Sequence, residues 1–151
     1  MVTLDELKDK LASNARLIGL DLGTKRIGIA ICDDKRKIAS PYKTIEYKNM
    51  EYLVNELKNI IKENNIFAVI IGNPINMDGS FGKSAQSIND KAKVIEKELD
   101  LIIAMWDERL STSGAFNISS NLDINFSKKK KNIDEKAAAF ILQGALDYLN
   151  N

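Results

Sequence analysis

The sequence predicts an α/β protein in which a mixed β-sheet carries helices on its faces. In the first third of the chain, short apolar segments follow one another across tight turns, as in an antiparallel meander. Beyond residue 49, segments with helical periodicity alternate with short apolar strands, which is typical of parallel strands joined by helices. At 151 residues the chain is long enough for one core, so we expect a single domain over residues 1–151.

The first third of the chain predicts a short helix followed by three strands. Thr3 and Glu6 have the spacing of a capping box, and leucines follow at helical intervals, so we expect a helical N-terminal extension over residues 1–15. The first strand is apolar except for Asp21, which indicates a strand buried on both faces. The three strands are expected at residues 17–22, 27–32 and about 37–45.

The rest of the chain predicts helices that alternate with strands. Asn49 and Asn132 are expected to cap two of these helices, and the two between them are expected to begin at Ser84 and Ser111. Short apolar strands are expected at residues 66–71 and 101–106. The loop over residues 73–83 has eleven residues, and such connections usually have about two to six. Its length favours a functional role.

Composition excludes several classes of site. The chain has no histidine, which excludes His-based triads, imidazole bases and His-containing zinc sites. Cys32 is the only cysteine, so a disulfide within the chain and a multi-thiolate metal site are both excluded, as expected in a reducing cytosol. The net charge is +1, so any nucleic-acid binding must depend on local charge. We see neither a membrane span nor a signal peptide and expect a cytoplasmic protein.

One acid stands out because it interrupts a buried strand. A buried carboxylate is costly unless it is paired or binds a metal, so Asp21 needs a partner. One interpretation is that it pairs with Lys25 or Arg26 and fixes the turn that follows. The other is that it belongs to a site at the sheet edge, where the strand ends.

Other acids lie at the ends of predicted elements. Asp107 and Glu108 end a strand, and only one of them can share a face with Asp21, because neighbouring strand residues face opposite ways. Spacing leaves that choice open, and both could instead pair with Arg109. Asp134 lies in the first turn of the last helix, where capping alone would explain it. Together, carboxylates from separate elements in a chain without histidine suit a hard cation such as Mg²⁺.

Phosphate-binding features accompany these acids. Gly23 and Thr24 follow Asp21 in a turn that lets a phosphate approach the backbone. This segment is also similar to the phosphate-binding hairpin of actin-like and sugar-kinase proteins, so an ATP-binding phosphotransferase domain is an alternative, although the chain has room for only one of their two domains. A basic tract precedes Asp134, and it is either a solvated charge run or a binding element for a nucleic-acid backbone. The tract consists of Lys128, Lys129, Lys130 and Lys131.

Four segments occur in order and cover about half of the chain: RLIGLDLGTKRIGIAICD at 16–33, IIGNPINMDGSFGKSAQ at 70–86, DERLST at 107–112 and KKKKNIDEKAAAFILQGALD at 128–147. In these segments the chain resembles the bacterial pre-16S rRNA nuclease family, which is also named after Holliday junction resolvases and belongs to the ribonuclease H-like superfamily. The resemblance implies a central five-stranded mixed sheet, an antiparallel meander followed by parallel strands, flanked by helices.

The resemblance also implies an activity. It implies hydrolysis of phosphodiester bonds in structured nucleic acid with Mg²⁺ or Mn²⁺, either in 5′-end processing of pre-16S rRNA during ribosome biogenesis or in resolution of branched DNA. A non-catalytic RNA-binding module, with the acids as turn formers, is a further alternative. One departure from the family is Asn73, where family members usually carry an apolar residue before the proline.

The resemblance assigns roles to individual residues. Asp21, Glu108 and Asp134 match the family's catalytic, metal-binding acids, so the resemblance selects Glu108 over Asp107. The residues expected to bind the substrate are Gly23, Thr24, Lys25, Arg26 and Arg109, together with the basic tract.

Overall fold

The computed structural model describes residues 1–74, 82–110 and 133–151. In these ranges the strands are Arg16–Leu22 (β1), Arg26–Cys32 (β2), Ala39–Glu46 (β3), Ile66–Asn73 (β4) and Ile102–Asp107 (β5). The helices are Leu4–Lys10 (α1), Met50–Asn64 (α2), Lys83–Leu99 (α3) and Ile133–Leu149 (α4). A single 3-10 turn, Glu108–Leu110, follows β5.

These strands form one mixed sheet in the order β3-β2-β1-β4-β5. The first three strands pair antiparallel, β4 pairs parallel with β1, and β5 pairs parallel with β4. The predicted fold, an antiparallel meander followed by parallel strands with helices on both faces, is therefore confirmed.

Each face of the sheet buries its own apolar cluster. Ile18, Leu20 and Leu22 of β1 pack with residues of α2 and α3 on one face. Leu17 packs with residues of α1 and α4 on the other. Because side chains alternate between the faces of a strand, Asp21 shares the α4 face with Leu17. The only acid in β1 thus lies under the last helix.

Local side-chain bonds explain several element ends. The Thr3 hydroxyl accepts a hydrogen bond from the Glu6 amide at 3.1 Å, which confirms the predicted capping box. The Asn49 side chain caps α2 by accepting a bond from the Tyr52 amide at 2.8 Å. β3 begins at Ala39, two residues later than predicted, because the Asp33 carboxylate holds the turn before it.

Other predictions differ from the structure or lie beyond its described ranges. α3 begins at Lys83, one residue before Ser84, and its N-cap is Gly82. The predicted helix from Ser111, the Asn132 cap, the basic tract and residues 75–81 of the long loop lie outside the described residues. None of the helices in the described ranges is both long enough and apolar enough to cross a membrane.

The N-terminal segment packs along one edge of the sheet. The Val2 amide donates a hydrogen bond to the Ile103 carbonyl at 2.9 Å, and Val2 forms an isolated parallel bridge with Ala104 of β5. Leu7 of α1 is fully buried in the same cluster as α4. The extension therefore contributes to the core.

Candidate active site

Three acids from separate elements approach one edge of the sheet. Asp21 is next to last in β1, Glu108 directly follows β5, and Asp134 lies in the first turn of α4. β1 and β5 both run parallel to β4, so their C-terminal ends lie at the same edge. The edge is the one at which open α/β sheets bind ligands.

Asp21 is partly buried and interacts with another acid. Burial raises the pKa of Asp21 from 3.8 to about 6, and the charge of Asp134 adds to this increase. No ion pair of Asp21 occurs in the described part of the chain, and Arg26 pairs with Asp134 instead. Pairing of Asp21 with Arg26 or Lys25 is therefore not what stabilises it.

Asp107 and Glu108 have different surroundings. The Asp107 carboxylate accepts bonds from Arg109 Nη2 at 2.7 Å and from Nε at 3.0 Å, and these bonds hold the pKa of Asp107 below its usual range. Burial raises the pKa of Glu108 from 4.5 to about 7, with further increases from Asp21 and then Asp107. A Cβ placed on Gly72 would lie 3.3 Å from the Glu108 carboxyl carbon. Glu108, rather than Asp107, is thus the acid that interacts with Asp21.

Asp134 links the acids to a positively charged side chain, that of Arg26. Its Oδ2 accepts a hydrogen bond from Arg26 Nε at 2.7 Å. Neither terminal guanidinium nitrogen of Arg26 has a protein partner among the described residues, and about half of its side chain, 53%, is exposed. The pair therefore presents hydrogen-bond donors to solvent beside the acids, in the planar arrangement that suits a phosphate.

The donor chemistry of these acids fits a hard divalent cation. Within residues 1–74, 82–110 and 133–151, no three acidic or cysteine side chains are grouped closely enough to hold a metal ion. Asp21 instead interacts pairwise with Asp134 and with Glu108. Carboxylate oxygens are the ligands that Mg²⁺ and Mn²⁺ prefer, and a cation would offset the burial and the repulsion that together raise both pKa values. The assignment of all three as ligands stays a prediction.

The turn after Asp21 is fixed by backbone contacts. The Gly23 amide donates to the Asp21 carbonyl at 3.1 Å, and a Cβ on Gly23 would lie 2.5 Å from the Arg26 carbonyl oxygen. A larger residue at position 23 would therefore disturb the turn. The Lys25 carbonyl accepts a bond from the Tyr47 amide at 2.8 Å, which ties the turn to the end of β3. Thr24, Lys25 and Arg26 are exposed beside Asp21.

The remaining predicted binding residues are Arg109 and the basic tract. The Arg109 guanidinium is bonded to Asp107. Strand alternation places Asp107 on the face of β5 opposite Trp106, which packs with the α4 cluster. Residues 128–131 lie outside the described ranges.

Sequence reasoning missed two glycines near these acids and identified Asn73 only as a departure from the family. Gly28 lies where the backbone of α4 comes close to the sheet, and Gly72 lies close to the Glu108 side chain. Glycine within an apolar strand is the signal that could have identified them. Asn73 is 7% exposed, and its Oδ1 has no hydrogen-bond partner among the described residues.

The similarity of the chain to known proteins covers nearly its whole length. A family model described as RuvX, Holliday junction resolvase, matches residues 15–148. A protein of Pelagibacter ubique (strain HTCC1062) named "Putative pre-16S rRNA nuclease" is 60% identical over 151 residues, which is 100% of both chains. A protein of the same name from Acidiphilium cryptum (strain JF-5) is 40% identical over 150 residues and covers 99% of this chain and 95% of its own.

Solved structures support the fold. The chain matches T. thermophilus RuvC in complex with a Holliday junction substrate with a TM-score of 0.54 at 9% identity, over 89% of this chain and 94% of that one. It matches the yeast mitochondrial Holliday junction resolvase Ydc2 with a TM-score of 0.52 at 11% identity, over 97% of this chain and 84% of the other. These likenesses confirm the ribonuclease H-like fold class. With the family model matched from residue 15 to 148 and a relative 60% identical from end to end, the chain belongs to the RuvX family of nucleases.

Proposed function

We propose that the chain hydrolyses phosphodiester bonds with Mg²⁺ or Mn²⁺ held by Asp21, Glu108 and Asp134. The observation that carries the proposal is the burial of Asp21 and Glu108 at one sheet edge beside other acids. Burial first, and the charge of neighbouring acids second, raises the pKa of Asp21 to about 6 and that of Glu108 to about 7. A chain that keeps such acids together at a sheet edge loses stability unless a cation offsets their charge. The acids are thus better suited to a functional site than to a structural one.

The residues around the acids have separate tasks in this proposal. A bound divalent ion supplies an activated water and positive charge at the phosphate. Asp21 and Glu108 hold the ion from β1 and from the turn after β5. Asp134 Oδ1 accepts no hydrogen bond from the described residues, so one oxygen of this carboxylate can serve the ion while Oδ2 orients Arg26.

Cations and backbone amides bind the substrate. Arg26 donates its terminal nitrogens to phosphate oxygens, and the turn of Gly23, Thr24 and Lys25 lets the nucleic-acid backbone approach closely. The basic tract over residues 128–131 and Arg109 add contacts to neighbouring phosphates. Such contacts position the substrate without reading its sequence.

The substrate we propose is the 5′ region of pre-16S rRNA, because the full-length relatives bear the name of that activity. A branched DNA junction is the second candidate, on the description of the family model. We further propose that residues 1–151 form one domain and that the protein acts in the cytoplasm, where ribosomal precursors are processed.

Cleavage assays test the proposal. A precursor rRNA fragment with its 5′ extension and a four-way DNA junction are each incubated with Mg²⁺, Mn²⁺ or Ca²⁺. The enzymes compared are the parent, Asp21→Asn and the matched control Asp107→Asn. We expect cleavage of the rRNA by the parent and by Asp107→Asn, and none by Asp21→Asn. Equal cleavage by Asp21→Asn would refute the ligand role.

Two other outcomes would replace the proposal. Binding of RNA without cleavage in any of the metals would favour a non-catalytic binding module. Tight ATP binding by the parent in a nucleotide titration, again without cleavage, would favour a phosphotransferase domain.

A further inference from the structure

A close backbone contact lies directly behind the acids. Gly28 is in the middle of β2, and its register partner in β1 is Asp21. A Cβ built on Gly28 would overlap the Asp134 carbonyl oxygen and lie only 3.0 Å from the Glu135 amide nitrogen. The first turn of α4 therefore rests on the bare backbone of β2, opposite Asp21.

This contact determines how closely Asp134 approaches the sheet. The overlapped atoms belong to the backbone of α4, so a side chain at position 28 cannot be accommodated by a change of rotamer. The start of the helix would have to move away from the strand, and Asp134 would move with it. Asp21 would stay in place, because it is paired with β2, and its neighbour Leu20 is paired with Ile71 of β4.

We propose that Gly28 is a positioning residue, which sets the separation between the Asp134 and Asp21 carboxylates so that both can ligate one cation site. The inference rests on the proposed function, because it takes these acids as metal ligands. Gly28 itself touches neither metal nor substrate.

A second glycine provides a matched control. Gly19 lies under the same helix, where a Cβ would come 2.7 Å from Leu142 Cβ and 3.1 Å from the Ala138 carbonyl oxygen. Gly19→Ala thus disturbs the packing of α4 on the sheet further along the helix, away from Asp134. Any loss caused by poor helix packing alone should occur in this variant as well.

The test compares the parent with Gly28→Ala, Asp134→Glu, the double variant that combines them, Gly19→Ala and Asp21→Asn. Mn²⁺ affinity is measured by isothermal titration calorimetry, and circular dichroism and urea unfolding report folding and stability. We expect Gly28→Ala and Asp134→Glu each to weaken Mn²⁺ binding about 10- to 100-fold, as changes in the support of a metal ligand usually do. Gly19→Ala should lose stability and keep the affinity of the parent.

The double variant distinguishes positioning from packing. Glutamate is one methylene longer than aspartate, so Asp134→Glu should restore the reach that a displaced helix has lost. We expect the double variant to bind Mn²⁺ more tightly than either single variant, although it is no more stable than Gly28→Ala. Binding weaker than in both single variants, or an equal loss in Gly19→Ala, would overturn the inference.

The remaining outcomes separate this inference from the proposed function. Absence of Mn²⁺ binding by the parent, or parent-like binding by Asp21→Asn, would refute the proposed function and the inference with it. Normal binding by the parent and by Gly28→Ala, with loss in Asp21→Asn, would refute the inference alone. If Gly28→Ala does not fold in buffer, its Mn²⁺ affinity is measured in an osmolyte that restores folding: weaker binding than the parent under the same conditions supports the inference, and parent-like binding overturns it.

Discussion

Arg26 and Asp134 are 108 residues apart in sequence, and their side chains meet through a 2.7 Å bond between Nε and Oδ2. The bond links the first residue of β2 to the first turn of α4. It also links a residue that we expect to bind phosphate to one that we expect to bind metal. Substrate affinity and metal affinity should therefore depend on each other at this point.

Replacing Arg26 should affect substrate binding more than folding. In Arg26→Gln we expect RNA affinity in Ca²⁺ to fall about 10- to 100-fold, since one charge-assisted phosphate contact is worth about 1.5–3 kcal/mol. The free energy of unfolding should change by less than about 1 kcal/mol, because the ion pair is half exposed. The RNA affinity of Arg26→Lys should lie between that of the parent and that of Arg26→Gln, because lysine keeps the charge and loses the planar guanidinium.

The control for Arg26 is Lys43→Gln, which removes a partly exposed ion pair between β3 and α2, 3.6 Å long, with Glu56. Filter binding and urea unfolding measure the two effects. An RNA affinity in Arg26→Gln equal to that of Lys43→Gln would contradict the phosphate role.

Two acids at the same sheet edge should respond to amidation with opposite signs. In the metal-free protein at pH 8, Asp21→Asn should raise the free energy of unfolding by about 1–3 kcal/mol, since a pKa raised by burial costs about 1.4 kcal/mol per unit. Asp107→Asn should lower it by up to about 1 kcal/mol, because its carboxylate is bonded to Arg109. Urea unfolding of both variants measures this, and effects of the same sign would contradict the assigned environments.

The stability of the metal-free protein should fall as pH rises between about 4 and 7. The folded protein holds protons on Asp21 and Glu108 up to pKa values of about 6 and 7, whereas the ordinary values are 3.8 and 4.5. It therefore binds more protons than the unfolded chain in this window, and linkage makes unfolding easier as they are lost. Urea unfolding at successive pH values measures the free energy of unfolding. Its dependence on pH should be weaker in the double variant that combines Asp21→Asn and Glu108→Gln than in the parent. Parallel profiles would exclude these groups as the cause.

Asn73 should be replaceable by an apolar residue with a gain in stability. Its Oδ1 is buried and accepts no hydrogen bond from the described residues, and an unsatisfied buried polar group costs about 1–3 kcal/mol. We expect Asn73→Val to raise the free energy of unfolding by about 1 kcal/mol, and Asn73→Asp to lower it, because a charge is costlier to bury. Urea unfolding measures the effect. A loss of stability in Asn73→Val would show that the Asn73 amide makes a stabilising hydrogen bond, which would contradict the prediction.

The basic tract should contribute a salt-dependent part of binding. Changing Lys128, Lys129, Lys130 and Lys131 to Gln should flatten the slope of log affinity against log salt, by about 0.7–0.9 unit for each phosphate that the lysines no longer neutralise. The control changes four exposed lysines of α2 and α3 to Gln: Lys58, Lys62, Lys93 and Lys97. Both variants carry the same net charge, so equal slopes would mean that the tract is only a solvated run.

The fold could be predicted from local patterns, and the site only in part. Asp21 was identifiable because one acid interrupts an apolar strand, and the first strands were predicted to within one or two residues. The choice between Asp107 and Glu108 needed more than periodicity, because the strand ends at Asp107 and a 3-10 turn begins at Glu108. The interactions of Arg26 and Gly28 with Asp134 could not be predicted, because they depend on how α4 docks on the sheet. No local pattern contains that information.

The bridge between Val2 and β5 has a consequence for the behaviour of the protein in concentrated solution. β5 is the outermost strand on its side of the sheet, and the Val2 amide occupies the Ile103 carbonyl at its free edge. An uncovered edge of this kind is a template for pairing with a strand of another molecule. Deletion of residues 1–3 would remove this cover. A change at the start of the chain, far from the acids in sequence, should therefore increase self-association.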